Sequence, residues 1–419
     1  MLTTGPTKVG SHELTPIDVA LQKLLLNLPA ITGQEDIALL ETNGRILAVD
    51  YQSAIDVPPH DNSAMDGYAV RSADLSQDHT RLKVSQRIAA GEIGEQLSTG
   101  EAARIFTGAP MPPGADAVVM QENCEVSGSD VIVLKAVVSG ENLRRAGEDV
   151  RSGAVLFKAG HRLRAQDIGL IASTGSTRLA VQRRLKIALM TTGNELVRPG
   201  TDLKPGQIYN SNFFTLAALL QGLPVDVIDL GVVGDDLSST RQALAVAARS
   251  ADCIISTGGV SVGEEDYVKA AVEAEGELEL WKLAIKPGKP LACGKVRGDQ
   301  GQICQFFGLP GNPVSAFVTF VLVVRPCLLA MLGCATTAPK KIRLRAGFER
   351  PLSGLRQEYL RSVIDIDGDG DARLLPYSNQ SSGVGASLSE ADGLAIIPPH
   401  TAIARDDFLE YMAFSELLN

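Results

Sequence analysis

The stretch ADCIISTGGVSVGEEDYVKAAVEAE, residues 251–275, decides the fold class. Its first half is a short buried-strand run that stops at Gly258 and Gly259. After a glycine-punctuated linker, residues 264–275 read as a helix. The same alternation extends to both sides. LKIALMTT (185–192) is a strand ending at Gly193, and SNFFTLAALLQGL (211–223) is a helix that Ser211 is placed to cap. VDVIDLGVV (225–233) is a strand and LSSTRQALAVAARS (237–250) a helix. QICQFFGLPG (302–311) is a strand and loop, and NPVSAFVTFVLVV (312–324) opens a helix with Asn312 as cap and Pro313 at the first helical position. Strand and helix in strict alternation predict a doubly wound parallel sheet with helices on both faces over residues 184–333.

The periodicity changes outside that block. Residues 17–29 carry apolar side chains at helical spacing behind Thr15-Pro16. From 53 to 142 short alternating runs (RLKVSQRI, EAARIFTG, DAVVMQEN, DVIVLKAV) are broken by Gly and Pro, which predicts a β-rich region. A glycine-rich segment, 140–163, leads into a helix near 165–174. The last 80 residues return to short β-like runs, KIRLRAGF, QEYLRSVIDI, ARLLPYS and LAIIPP, as in a small β domain.

Composition sets outer limits. A chain of 419 residues has material for two to four domains. A formal net charge of −10 offers no basic surface for nucleic acid. The six cysteines form no CxxC and the five histidines no zinc spacing, and apolar surroundings predict buried thiols in a reducing cytoplasm. The N-terminus lacks a charged region leading into an apolar one, so no signal peptide is expected. Residues 314–332 are apolar enough to suggest a membrane span, but Arg325 and Pro326 interrupt them, and a buried helix is expected instead.

In open α/β sheets ligands bind at the carboxyl ends of the strands. Four unusual motifs fall at such ends. TTGNELV places Gly193, Asn194 and Glu195 there, and GVVGDD places Asp235 and Asp236. STGGVSVGEEDY places Ser256, Gly258, Gly259, Ser261, Gly263 and Asp266, and GLPGNPVS places Pro310, Gly311, Asn312, Pro313 and Ser315. TGGVSVG lacks bulk, so backbone N–H groups approach phosphate oxygens closely, and helix starts at 264 and 313 add positive dipole ends. The same glycines also serve as tight strand-to-helix turns. The motif is neither a Walker loop nor a dinucleotide fingerprint. WKLAIKPGKPLACG (281–294) brings Lys282, Lys286 and Lys289 together, Lys282 and Lys286 on one strand face, as an anion site or as a solvated strand edge. Glu195, Asp235 and Asp266 suit Mg²⁺ beside a phosphate, or simply complement helix dipoles.

Taken together, DNSAMDGYAV (61–70), FTGAPMPPGADAVVMQE (106–122), GENLRRAGEDV (140–150), TTGNELV, STGGVSVGEEDY, LAIKPGKPLACG and GLPGNPVSAF resemble the molybdopterin molybdenumtransferase family, the MoeA proteins and the E domain of gephyrin, in order and spacing from about residue 14 to the end. The resemblance implies a mixed α/β multidomain chain. A helical, discontinuous domain I would cover 12–52 and 143–183, and a β-rich insert, domain II, 53–142. A molybdopterin-binding α/β domain III would cover 184–333, and a small β-barrel, domain IV, 340–419. It implies a homodimer whose cleft lies between domain III of one subunit and domains I and II of the other. Asp66, Thr107 and Asp149 would then act in trans. The implied reaction inserts molybdenum from molybdate into adenylylated molybdopterin and releases AMP, with Mg²⁺ as the divalent metal. In that scheme Lys282, Lys286, Lys289 and Ser315 bind oxyanion, with Arg361 and Ser382 from domain IV. Gly258, Gly259 and Ser261 hold the pterin phosphate beside Pro310 and Pro313, and Glu195, Asp235 and Asp266 serve metal or water. Molybdopterin adenylyltransferase and molybdoenzyme maturation proteins are the implied partners. Two positions depart from the family pattern: Asn194 replaces a frequent Asp, and His60 a frequent Phe, by a packing substitution. The alternatives are an adenylyltransferase-like activity and a non-catalytic cofactor carrier or scaffold; tungstate in place of molybdate also fits.

Overall fold

The computed structural model describes residues 14–75, 77–259, 267–299 and 301–418. Its centre is a six-stranded sheet built from the alternating block. Val225–Val233, Leu185–Thr192, Cys253–Thr257 and Ile303–Leu309 run parallel in that order. Pro290–Arg297 and Gly276–Lys282 then add an antiparallel hairpin at the far edge. The expected all-parallel sheet is therefore mixed at one edge. The reason lies in residues 276–297, where two strands follow one another with no helix between them, and a short connection forces antiparallel pairing.

Apolar residues on both pleats give two cores. Leu185, Ile187 and Leu189 face one side with Phe307 and Leu309, while Ala188, Met190, Ile254 and Phe306 face the other. The helix Ser211–Gln221 is capped by Asn210, whose side chain accepts from the Phe213 N–H, so the expected Ser211 cap moves back one residue. Asp236 caps Leu237–Ala248 in the same way through the Ser239 N–H. Asn312 stands at its cap position without a side-chain bond, and Pro313 occupies the first turn as expected.

The apolar stretch that resembled a membrane span is a continuous helix, Pro313–Met331, 94% buried in the chain's own core. A π-helical segment, Phe320–Val324, precedes Pro326, and the wider turn accommodates the residue that has no N–H to donate. Phe320 is fully buried, so Phe320→Ala would cost about 3–5 kcal/mol.

The segments flanking the insert meet again in space. Gln34–Ala38 pairs antiparallel with Arg178–Gln182, and Leu39, Leu47, Leu163, Ile171 and Leu179 share one core with Val181. The helix Ile17–Asn27 instead packs Ile17, Ala20 and Leu24 into the core of the central domain. Between them, Gly67–Val70, Thr80–Ile88, Glu101–Ile105, Ala117–Met120, Cys124–Ser127 and Asp130–Val133 form a separate six-stranded sheet. Both of its faces are apolar, Tyr68 and Val70 on one and Ala69 on the other. At the C-terminus, Gln357–Ile366, Ala372–Pro376, Ile342–Ala346, Phe408–Ala413 and Gly393–Ile397 pair in sequence, and the last pairs back with the first, closing a small barrel. Ile285–Lys286, from the central domain, adds to the barrel strand Gln357–Ile366. That pairing decides where the site forms.

Candidate active site

A cleft of about 580 Å³ opens where the parallel strands end and the barrel abuts them. Its floor is Gly258 and Gly259, with Pro310, Gly311, Asn312 and Ser315 beside them. Lys286, Pro287, Gly288, Lys289 and Pro290 form one wall, and Arg356, Gln380, Ser381 and Ser382 of the barrel form the other. Three cations thus face the cleft, and no carboxylate lines it among the described residues.

The floor is glycine for a steric reason. Gly258 has φ +91°, and a Cβ there would stand 2.6 Å from the Thr192 carbonyl oxygen. Gly259 has φ +62°, and a Cβ there would meet the Val268 side chain at 2.4 Å. The two strand ends therefore touch backbone to backbone, which leaves the floor free of side chains. Asn212 bridges two strand-end loops, donating to the Gly311 carbonyl at 2.7 Å and to the Thr257 hydroxyl at 3.1 Å. The Val314 N–H donates to the Ser382 carbonyl at 3.1 Å, which fixes the barrel loop to the start of the long helix.

Arg361 lies behind that loop. It is 1% exposed, and its guanidinium donates to the Ser387 hydroxyl at 3.0 Å and the Ser381 carbonyl at 3.1 Å. Burial lowers its pKa. In this geometry it shapes the wall that Gln380, Ser381 and Ser382 present. Lys282 also stands off the cleft lining; its carbonyl accepts from the Thr15 N–H at 2.8 Å. Lys282 ends one strand while Lys286 belongs to the barrel pairing, so the shared strand face expected for them is broken at buried Leu283.

Glu195, Asn194 and Asp235 meet at the neighbouring strand ends. The Asn194 N–H donates to Asp235 Oδ2 at 3.1 Å, and the Asp235 N–H donates to Asn194 Oδ1 at 3.4 Å. Glu195 folds over Gly193, where a Cβ would lie 2.6 Å from Oε2. Asp236 is occupied as a helix cap, and the Ser239 hydroxyl and N–H hold its pKa below the usual carboxylate range. Among the described residues no three acidic, histidine or cysteine side chains converge as a metal cage. Ser261, Gly263 and Asp266 lie outside the described residues.

The Asp66 group forms elsewhere. The Thr107 N–H and hydroxyl each donate to Asp66 Oδ1 at 2.8 Å. These bonds, with Arg104 nearby, lower the Asp66 pKa although the side chain is exposed. Arg104 donates to the Gly67 carbonyl at 2.9 Å and stacks 4.7 Å from the centre of the Phe106 ring. Asp149 lines a second cleft, about 430 Å³, with Val57, Pro58, Asn62, Arg144 and Glu148. Neither Asp66, Thr107 nor Asp149 lines the 580 Å³ cleft of its own chain. His60 is exposed, so it packs into no core within the chain.

Sequence reading missed Arg356, Gln380 and Ser381. Arg356 stands one residue before the strand QEYLRSVIDI, and only the pairing of that strand with Ile285–Lys286 brings it to the cleft.

A multidomain fold in which a doubly wound sheet ends on a cationic cleft beside a small barrel defines the class. Three family models cover nearly the whole chain: the MoeA N-terminal region (domains I and II) over 15–175, the "Probable molybdopterin binding domain" over 188–330, and the MoeA C-terminal region (domain IV) over 343–407. The molybdopterin molybdenumtransferase of Haemophilus influenzae is 43% identical over 76% of this chain and 78% of its own. That of a Nostoc species is 35% identical over 92% and 91%. The crystal structure of the molybdopterin biosynthesis MoeA protein of Pyrococcus horikoshii superposes with a TM-score of 0.81 at 30% identity, covering 96% of this chain and 100% of that one. The chain belongs to the MoeA family.

Proposed function

We propose that the chain is a molybdopterin molybdenumtransferase, inserting molybdenum from molybdate into adenylylated molybdopterin and releasing AMP and molybdenum cofactor. The observation that carries this reading is the cleft of about 580 Å³, with Lys286, Lys289 and Arg356 facing a floor of glycine beside Ser315. Its two substrates are both anions. Cations held in a partly desolvated cleft favour anions far more than the same groups in water.

In this reading Lys286, Lys289 and Ser315 take the oxyanion, with Ser382 on the wall that Arg361 supports. Gly258 and Gly259, with Ser261, let backbone N–H groups approach the phosphate. Pro310 and Pro313 keep the adjoining loop short and stiff. Lys282 adds positive potential from behind the wall. Glu195 and Asp235 are hard oxygen donors on adjacent loops and would hold Mg²⁺, an ion that needs only one or two carboxylates beside substrate oxygens; Asp266, the third carboxylate assigned to the metal from sequence, lies outside the described residues. When bound, that ion supplies charge neutralisation at the pyrophosphate. Asp66, Thr107 and Asp149 act across a homodimer, which their separation from the cleft of their own chain supports. Thr107 keeps Asp66 ionised and oriented, ready to accept a proton or hold a substrate N–H. The substrate comes from an adenylyltransferase and the product goes to molybdoenzyme maturation proteins. Four buried thiols suit a reducing cytoplasm.

The test is AMP release from adenylylated molybdopterin, with and without molybdate and Mg²⁺, for wild type and Asp66→Asn. AMP is expected only with both present, and the variant loses it while its oligomeric state is unchanged. Binding of the adenylate with no AMP released under any condition rejects the transferase reading.

A further inference from the structure

Lys286 faces the cleft with its side chain half exposed, but its ammonium is not free. Glu358 Oε2 lies 3.6 Å from Lys286 Nζ. Glu358 comes from the barrel and is buried, its side chain 6% exposed. The same oxygen also accepts from Arg350 Nη2 in a closer contact. The backbone fixes this arrangement. Lys286 and Glu358 are register partners in the pairing of Ile285–Lys286 with the barrel, and the Gln357 N–H donates to the Ala284 carbonyl at 2.9 Å. One buried carboxylate therefore serves two cations, and only one of them reaches the cleft.

We propose that Glu358 is a positioning residue that latches Lys286 at the cleft wall, and that Arg350 sets the strength of the latch. The inference rests on the reading of Lys286 as an oxyanion ligand. When an oxyanion enters, Lys286 turns to it, and Glu358 keeps Arg350 as its partner, so no buried carboxylate is left unpaired. Without Arg350 that exchange would strand the Glu358 charge in the wall. The pair thus lets the cleft hold a pre-aimed lysine and release it at low cost.

Two substitutions that break the same ion pair then act in opposite directions. Glu358→Gln keeps the shape, removes the competing charge and frees Lys286; molybdate is expected to bind about threefold tighter, the scale of one half-exposed ion pair. Arg350→Gln leaves Glu358 with Lys286 alone, and molybdate is expected to bind about threefold more weakly. In a Lys286→Gln background both effects vanish, because there is no lysine to release. Titration calorimetry of the full-length protein compares wild type with the three single variants and the two double variants.

A second readout needs no substrate. The rate at which an amine-acylating reagent labels Lys286 in ligand-free protein, followed by peptide mass spectrometry, is expected to rise in Glu358→Gln and fall in Arg350→Gln. If labelling behaves so while molybdate fails to bind wild type, the latch stands and the oxyanion reading falls. If both variants shift labelling or binding in the same direction, or the shifts persist without Lys286, Glu358 is only a structural ion-pair partner and the proposal is overturned.

Discussion

Gly258→Ala separates the two reasons for having glycine on the cleft floor. The backbone there sits at φ +91°, and the added methyl would stand 2.6 Å from the Thr192 carbonyl oxygen and 2.9 Å from its Oγ1. Gly200 supplies the matching control: it lies in the same domain at φ +93°, and a Cβ there meets nothing within 4 Å. Both substitutions incur left-handed strain of about 1 kcal/mol. Only Gly258→Ala also forces two packed strand ends apart, adding about 2 kcal/mol. With a urea dependence of about 2 kcal/mol per M, the midpoint falls by about 0.5 M for Gly200→Ala and by about 1.5 M for Gly258→Ala. Trp281 is the one tryptophan in the chain and stands on the edge strand of the same sheet, so its fluorescence reports on this domain. Gly258→Ala is also expected to lose anion binding, which Gly200→Ala keeps. Equal midpoint shifts for the two would refute the argument that the floor is glycine because the Thr192 backbone touches it.

Other expectations concern charge and thiols. Thr107→Val removes the hydroxyl that holds Asp66 Oδ1; the Asp66 pKa is expected to rise toward its ordinary value, seen as a shift in its carboxyl ¹³C titration and in the acid limb of activity. Burial works to raise the Asp252 pKa, but paired bonds from Arg183 at 2.7 and 2.8 Å and the Lys186 N–H outweigh it and leave the pKa lowered. A depressed folded pKa contributes stability above the unfolded value of about 3.9 that is lost as pH falls through the folded one. Asp252→Asn should therefore lose stability at pH 7 and show a flatter acid-unfolding profile below about pH 4. Cys253, Cys293, Cys304 and Cys327 are buried, and burial pushes the Cys304 and Cys327 thiols up to about 12. An aromatic disulfide reagent at pH 8 is expected to reach the half-buried Cys334 first, Cys124 only slowly because burial pushes its thiol up to about 11, and the four buried thiols not until urea unfolds the chain.

What the sequence made legible follows from what is local. Strand ends at Gly193 and Gly258–Gly259 were readable because a strand, a turn glycine and a helix are successive in the chain. Gly258, Gly259, Lys286, Lys289, Pro310, Gly311, Asn312 and Ser315, named from the strand-end motifs and the lysine turn, do converge, and so does Ser382, named from the resemblance. Apart from Ser382, the wall from the barrel was not readable. Arg356, Gln380 and Ser381 reach the cleft only through the parallel pairing of Ile285–Lys286 with Gln357–Ile366, a contact about 70 residues apart in sequence that no periodicity announces. Arg361 was expected, from the resemblance, to bind oxyanion, and strand alternation gives no depth to test that; inside a closed barrel its side chain is buried and bonded to the loop it supports. The antiparallel hairpin of residues 276–297 was not legible because residues 283–289, which join its strands, are longer than a two-residue hairpin turn and carry no such signature.

We propose that one cleft cation, Lys286, and one distant carboxylate, Asp66, belong to the same reaction across two subunits. Subunits of Asp66→Asn and Lys286→Gln, each inactive alone, can be unfolded together, refolded together and assayed for molybdate-dependent AMP release. If the residues act in trans, each mixed dimer carries one site with both substitutions and one intact site, and random pairing restores roughly a quarter of wild-type activity. If Asp66 and Lys286 act within one chain, no mixed dimer holds an intact site. Activity at the background of the separate variants would contradict the account.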